Sequence, residues 1–403
     1  MRVSTAQFYL QSSQKMSSKA SDVNEQMAYL TSGKRVLTAK DDAVSYSTLA
    51  GYKDDLANIE KYKRNITQAE SHNNLQETVF SNAEDILNNI KEQLLQANNG
   101  AMSTEDLQAI AKQTRNNFDQ LLGIANSQNE NGDYIFSGYK TDQKPFSQHV
   151  DGSVSYSGDS GVKDLQIAKN ITIPINQTGD DSFMNVANSI GDFTANYTVN
   201  TSGVAVDSAN VTDRNTYNAS TTPYDYTFTF GPGAAELNVV NSGGTNIYNT
   251  TTYVAGQNIP LSSGVDVALS GNPLPGDTFT ISEQTEVSVF DTIKDAIAWM
   301  ELGTVSTSLE QHQVDYNTIL DQLNSSSSHM TSRRVDSGIR LQVLESQESR
   351  HLDSALSAET GKSNIEDLDF AKAIAEFEQS KIALQASQQA FSKVQGLSLL
   401  NYI

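Results

Sequence analysis

Between Ile365 and Leu400 the chain reads IEDLDFAKAIAEFEQSKIALQASQQAFSKVQGLSLL, a stretch with no proline and with Gly396, near its end, as its one glycine. Phe370, Phe377, Leu384 and Phe391 lie seven residues apart, each followed at +3 by a smaller residue, Ala373, Ser380, Ser387 and Val394. A large-small stripe at period seven is one face of a helix that packs on other helices. A lone helix cannot bury such a stripe against itself. The first thirty residues offer the partner: Tyr9, Met16, Val23 and Leu30 are also seven apart, flanked by Ala6, Ser13, Ala20 and Met27. The two ends of the chain therefore read as one coiled coil, and these eight large residues as a self-assembly surface. A two-helix pair shares little buried area, and its other faces are rich in Gln, Ser and Ala. That composition suits close packing among several copies of the pair; the plainer alternative is a static pair inside a monomer.

Working inward, all seven prolines fall between Pro145 and Pro275, and most of the 24 glycines between Gly132 and Gly271. Helix breakers confined to the middle of a chain with periodic flanks predict helical ends around a β-rich insertion. A helix over Thr5–Leu30 ends at Gly33. A long second helix runs from about Tyr46 to Asn98 with Ile59, Ile66, Phe80, Leu87 and Leu94 as its core and Asn73 as a polar interruption that fixes register. Ser103 and Asp106 open a third helix as a capping box. Tyr134-Ile135-Phe136 reads as a short strand, and further strands are expected at Leu165–Ile175, Tyr224–Phe230, Ala235–Val240, Ile247–Val254, Val265–Leu269 and Thr278–Ile281, together a sandwich or open barrel. Helix returns near Phe290, and a long one follows Gly303 with Leu309, Tyr316 and Leu323 as core. A kink or loosened turn is expected at Ser337-Gly338, and a stop near Gly361. The expected fold is thus mainly α with a β insertion. It is an elongated antiparallel helical bundle or coiled coil drawn from both chain ends, plus a central all-β domain. The expected domains are a terminal coiled coil (1–44 and 362–403, unstructured in the monomer), a long-helix rod with a β-hairpin (45–146 and 287–361), and a β-rich outer domain (147–286).

Composition closes off several classes of function. A formal charge of −21 argues against nucleic acid, whose phosphates require clustered Lys and Arg. No run of 18 apolar residues exists to span a membrane, and the first residues lack the apolar stretch of an ordinary secretory signal. The absence of cysteine removes disulfides, thiolate metal sites and cysteine nucleophiles. The histidines at 72, 149, 312, 329 and 351 form no metal-binding spacing. Gly361-Lys362-Ser363 imitates the tail of a phosphate loop but has Leu356 where the loop needs its first glycine. Gly158-Asp159-Ser160-Gly161 resembles the surroundings of a protease serine, yet turn chemistry accounts for it. Asp41-Asp42 reads as helix capping rather than a cation site. The Asn-x-Ser/Thr sequons of the insertion read as polar turn composition. No catalytic residue, cofactor or metal is expected.

Two motifs flank the terminal stripes. Ser32-Gly33-Lys34-Arg35-Val36 with Ala39-Lys40-Asp41-Asp42-Ala43, and Ile365-Glu366-Asp367-Leu368-Asp369-Phe370-Ala371, resemble the signatures of the flagellin superfamily. The opening Met1-Arg2-Val3-Ser4-Thr5, the segment from Gly132 through Tyr134-Ile135-Phe136-Ser137-Gly138 to Pro145-Phe146, and the closing Ser398-Leu399-Leu400-Asn401-Tyr402-Ile403 are similar to its hook–filament junction branch. The resemblance covers roughly residues 1–146 and 288–403. It implies a structural adaptor of the bacterial flagellum, exported through the flagellar type III channel. The subunit would form a homo-oligomeric ring between a hook-side adaptor protein and flagellin, and an export chaperone would bind its C-terminal region in the cytoplasm. The alternatives are a filament-forming flagellin, or a secreted adhesin or hydrolase acting through the insertion.

Overall fold

The computed structural model of the chain describes residues 2–219, 225–233, 235–303 and 308–400. Met1, Tyr224 and Asn401-Tyr402-Ile403 lie outside the described residues, as do the side chains of Ala6 and Val394. The helices α1 (Arg2–Ser32), α2 (Ala43–Ala97) and α3 (Thr104–Ala125) lead into strands β1 (Phe146–Gln148), β2 (Val154–Tyr156), β3 (Asp164–Ala168) and β4 (Ile171–Pro174). A π-helical turn, Asp180–Met184, precedes β5 (Val186–Ala187), β6 (Phe193–Val199), β7 (Ala205–Val211) and the short helix α4 (Arg214–Ala219). There follow β8 (Tyr226–Phe230), β9 (Leu237–Asn241), β10 (Asn246–Thr250), β11 (Asn258–Leu261), β12 (Val265–Ser270), β13 (Thr278–Glu283) and β14 (Glu286–Val287). The chain closes with α5 (Val289–Leu302), α6 (Leu309–Glu366) and α7 (Phe370–Leu400). Helical flanks around a central antiparallel β region are what the proline and glycine distribution predicts. No helix among the described residues is long and apolar enough to cross a membrane.

Capping chemistry sets the helix limits. Gly33, at φ +69°, ends α1 with its N–H on the Tyr29 carbonyl at 2.9 Å, a conformation open to glycine at no steric cost. Asp42 accepts the Val44 and Ser45 N–H groups at 3.1 and 3.0 Å and opens α2. The Ser103–Asp106 capping box opens α3, Ser288 caps α5, Ser308 accepts from the Gln311 N–H at 3.0 Å at the start of α6, and Asp369 accepts from the Lys372 N–H at 3.2 Å at the start of α7.

The residues gather into two compact units, Met1–Asn65 with Ser346–Ile403, and Ile66–Glu345. In the second unit the later part of α2 runs antiparallel to α6, with Ile66 beside Leu344 and the Arg334 guanidinium on Glu77 and Glu84 at 2.7 and 3.0 Å. Phe80, Leu87 and Leu94 of α2 join Phe118 and Leu121 of α3, Phe290 and Ile293 of α5, and Tyr316 and Leu323 of α6 in one buried core. Phe136, from the segment between α3 and β1, and Phe146, the first residue of β1, complete it, and rings of Phe80, Phe136, Phe146, Phe183 and Phe290 meet at centroid distances of 5.2–6.3 Å. The β3–β4 hairpin seals a second small core with Ile66, Ala69 and Leu344. The rest of the insertion is two antiparallel sheets, ordered β10-β9-β8-β13-β6 and β11-β12-β7. They share one core, in which alternate residues of β8 (Tyr226, Phe228, Phe230) and β12 (Val265, Val267, Leu269) point inward.

Four local expectations change. Tyr134-Ile135-Phe136 is a turn with a single bridge, Gln128 to Tyr134, and not a strand; Ile135 and Phe136 are adjacent and both buried in the same core, which a turn allows and one face of a strand does not. Leu165–Ile175 is two strands, because the chain reverses at Lys169-Asn170. The helix neither breaks at Ser337-Gly338 nor stops at Gly361, but continues to Glu366. Ser337 is buried in order to accept the Gln177 amide N–H at 3.0 Å, and Gly361 is there because a Cβ would stand 2.6 Å from the Tyr52 ring. Leu309, expected in the core, is 67% exposed at the first position of α6, before that helix reaches its neighbours.

Candidate assembly interface

Two motifs more than 300 residues apart in the sequence meet in the terminal unit. The Gly33 carbonyl accepts the Leu368 N–H at 3.1 Å, and the Arg35 N–H donates to the Glu366 carbonyl at 2.7 Å. The Arg35 guanidinium binds the Ile365 carbonyl at 3.0 Å. Glu366, almost wholly buried, receives the ammonium groups of Lys34 at 2.7 Å and Lys53 at 3.1 Å. The Lys34 hydrogen bond, joined by Lys53, outweighs burial and holds the Glu366 carboxyl below its usual range. Asp41 accepts the Leu37 and Thr38 N–H groups at 2.9 and 2.8 Å and so shapes the connector between α1 and α2. The acidic pair is therefore turn and cap chemistry. Burial first, and then the Asp41 carboxylate, push the Tyr29 hydroxyl up to about 12.

From this corner α1 and α7 run back antiparallel. Phe370 lies over Gly33 at one end, and at the other the Tyr9 ring stands edge-on to Phe391 at 5.8 Å and 88°. Tyr9, Met16, Val23 and Leu30 are half-buried, as are Phe377, Leu384 and Phe391, while Ala373 is fully buried. Phe370 is the exception on its stripe and stays 53% exposed. The stripes that the heptad spacing picks out thus face each other within one chain. Of the rod residues, Ile59 and Ile66 are buried, as are Phe80, Leu87, Leu94, Tyr316 and Leu323.

Sequence reasoning missed Glu366 and Lys53 as the polar lock of this corner. The available signal was a run of three acids, Glu366, Asp367 and Asp369, just before the last helix, where one carboxylate suffices for capping. It also missed that α7 is apolar on a second face: Ile374 and Ile382 are 52% and 61% exposed.

The profile of the bacterial flagellin N-terminal helical region matches residues 3–141, and that of the flagellin C-terminal helical region matches residues 320–403. Flagellar hook-associated protein 3 of Escherichia coli (strain K12) is 24% identical over 399 residues, which covers 99% of this chain and 98% of that protein. The protein of the same name from Salmonella typhimurium is 24% identical over 403 residues, with the same coverage. The crystal structure of the flagellar junction protein of Legionella pneumophila superposes with a TM-score of 0.66 at 28% identity, over 79% of this chain and all of that one. Both profiles, in order, span more than half of the residues, and they meet at the corner that joins the two motifs. The chain belongs to the bacterial flagellin family, in the hook-associated branch that these relatives represent.

Proposed function

We propose that this chain is a structural adaptor at the junction between flagellar hook and filament, and that its paired end helices are the part that assembles. The observation that carries this reading is the α1–α7 pair: a long two-helix unit whose facing stripes are only half covered and whose corner is fixed by Glu366. Half-covered heptad faces gain stability when further helices close over them. In this reading Tyr9, Met16, Val23, Leu30, Phe370, Phe377, Leu384 and Phe391 order fully on assembly, and the subunits form a ring that seeds flagellin. The partners are a hook-side adaptor, flagellin and further copies of this chain. An export chaperone covers the C-terminal helix before passage through the flagellar type III channel. The terminal domain (1–44 and 362–403), the rod (45–146 and 287–361) and the outer β domain (147–286) divide the labour, and no catalytic role is assigned to any of them.

Deletion of the gene from its flagellated host tests the role. Hooks that form normally while flagellin escapes into the medium support the adaptor; hooks that still carry filaments overturn it. Limited proteolysis of the purified chain tests the mechanism. Rapid clipping within the first and last forty residues, with a core near 45–360 surviving, is the expected result. Ends as resistant as the core would mean that the pair is already satisfied in the monomer.

A further inference from the structure

Helices α5 and α6 and the β6–β7 side of the sandwich belong to one compact unit, and between them lies a cleft of about 290 Å³. Helical spacing builds two of its sides. Asp295, Trp299 and Leu302 share one face of α5, and His312, Asp315 and Ile319 share one face of α6. Ala195 of β6 and Val206 of β7 supply the third side. Trp299, the one tryptophan of the chain, is 4% exposed. Its Nε1 donates to the His312 carbonyl at 2.9 Å, and the His312 ring stacks on it at 4.2 Å and 12°. The indole N–H is thus already satisfied, and what Trp299 offers the cleft is apolar surface.

The charged groups in this apolar setting are of one sign. Asp295 is exposed at the cleft yet crowded by its walls. Desolvation raises its carboxyl to about 6, with Lys294 opposing and Asp291 and Asp315 adding to the rise. Desolvation also raises Asp315, against the hydrogen bond that the Gln311 amide donates at 2.6 Å. It holds His312 below its usual range, so that ring is neutral at pH 8. Among the described residues no lysine or arginine forms an ion pair with either carboxylate, and Lys294 has its ammonium 3.7 Å from Asp291. The Tyr197 hydroxyl on β6, pushed up to about 12, and Asp207 beyond it on β7 supply no cation either.

Two carboxylates crowded out of water without a counter-ion, in a cleft walled by hydrocarbon, are relieved by a ligand with one positive charge on a short apolar chain. Pockets for drug-sized ligands run to about 300–1,000 Å³, so a space this small, closed on three sides, suits a shorter molecule. We propose that this cleft binds a small primary alkylammonium ion, with its ammonium between Asp295 and Asp315 and its hydrocarbon chain against Trp299, Val206 and Ile319. The site uses no residue of the end helices and stands apart from the assembly reading above.

Because Trp299 is the sole tryptophan, its emission reports on this cleft alone. Titration of the purified full chain with pentylammonium chloride, up to about 50 mM and against matched sodium chloride, detects even a millimolar site. A saturable change in Trp299 emission at pH 8 is expected, with a matching heat in calorimetry. The neutral 1-pentanol should bind at least tenfold more weakly. At pH 5, where Asp295 is mostly protonated, pentylammonium should bind about tenfold more weakly than at pH 8. Asp295→Asn and Asp315→Asn should each cost at least tenfold. The first removes a charge that the fold disfavours, so its denaturation midpoint at pH 8 should be no lower than the parent's. No saturable emission change and no heat with the parent chain would overturn the proposal, as would 1-pentanol binding as tightly as pentylammonium. Undiminished binding by both asparagine variants would overturn it too.

Discussion

A carboxylate enclosed as Glu366 is, with Lys34 and Lys53 on it, is more acidic folded than unfolded. Its contribution to stability is therefore complete above its ordinary value of 4.5 and is lost as pH falls through the lower folded value. Glu366→Gln should cost the terminal unit about 1–3 kcal/mol at pH 7, the range of hydrogen bonds to charged groups. The gap between the parent and variant denaturation midpoints should then be wide at neutral pH and close at acid pH, once the carboxyl is protonated in the folded chain as well. An equal gap at both pH values would mean that the ion pair is not what holds the corner. Asp277 is the counterpart in the β sandwich. Burial works to raise its pKa, but the Ser202 hydroxyl, the Thr201 N–H and hydroxyl and the Leu274 N–H outweigh it and hold it low. Asp277→Ala strands those donors in the two loops it ties, and a loss of about 2–4 kcal/mol is expected from a denaturant titration. Neither residue was legible as a lock in the sequence, because the partners that each ties across the fold, Lys34 and Lys53 for Glu366 and Thr201 and Ser202 for Asp277, lie far along the chain. Asp42 and Ser103 were legible, since a cap acts on its own next turn.

Among the elements, α6 offers a paired test of the same residue type. Gly338 is exposed, and a Cβ there meets nothing within 4 Å, so Gly338→Ala should stabilise by about 1 kcal/mol through helix propensity alone. Gly361 lies against the Tyr52 ring, so Gly361→Ala should destabilise by about 1–3 kcal/mol through overpacking. The sign should reverse in a Tyr52→Ala background; thermal melts of the four chains decide it. The strands divide in a similar way. β8, β12 and β13 were visible because aromatic and β-branched residues alternate in them. β6 (FTANYTV) and β7 (AVDSANV) were not, because Asn, Ser and Asp occupy their middle positions and only the neighbouring strands hold them extended. The turn at Tyr134-Ile135-Phe136 shows the opposite error. A β-prone tripeptide bends so that Ile135 and Phe136 can both reach the core.

At the scale of the whole molecule the two compact units differ in what they bury. Ile66–Glu345 contains three clusters rich in Phe, Ile and Leu. The buried apolar side chains described in the other unit are Val36, Leu49, Ile59, Ala358 and Ala373. Local stability follows buried apolar area, so calorimetry should resolve an early transition in which Met1–Asn65 and Ser346–Ile403 melt, followed by a larger one. A single transition would mean that the units are coupled more tightly than their cores suggest. The unit boundaries fall inside α2 and α6, where neither composition nor a breaker marks them, and so only the structure places them. Helical ends and a β centre were legible because proline and glycine obey strict rules. The second face of α7 was not, because a search for one heptad stripe ends once it finds one.

The contact between Tyr9 and Phe391 has a consequence in time. A ribosome produces the first of these residues hundreds of residues before the second. At ordinary synthesis rates of about 5–20 residues per second, α1 waits roughly 20–70 s before α7 exists. Throughout that interval the nascent chain carries a long half-apolar helix with nothing to pair with, and closing so large a loop is among the last events available to it. The cell therefore holds a pool of chains whose middle can fold while their beginning is still unmatched.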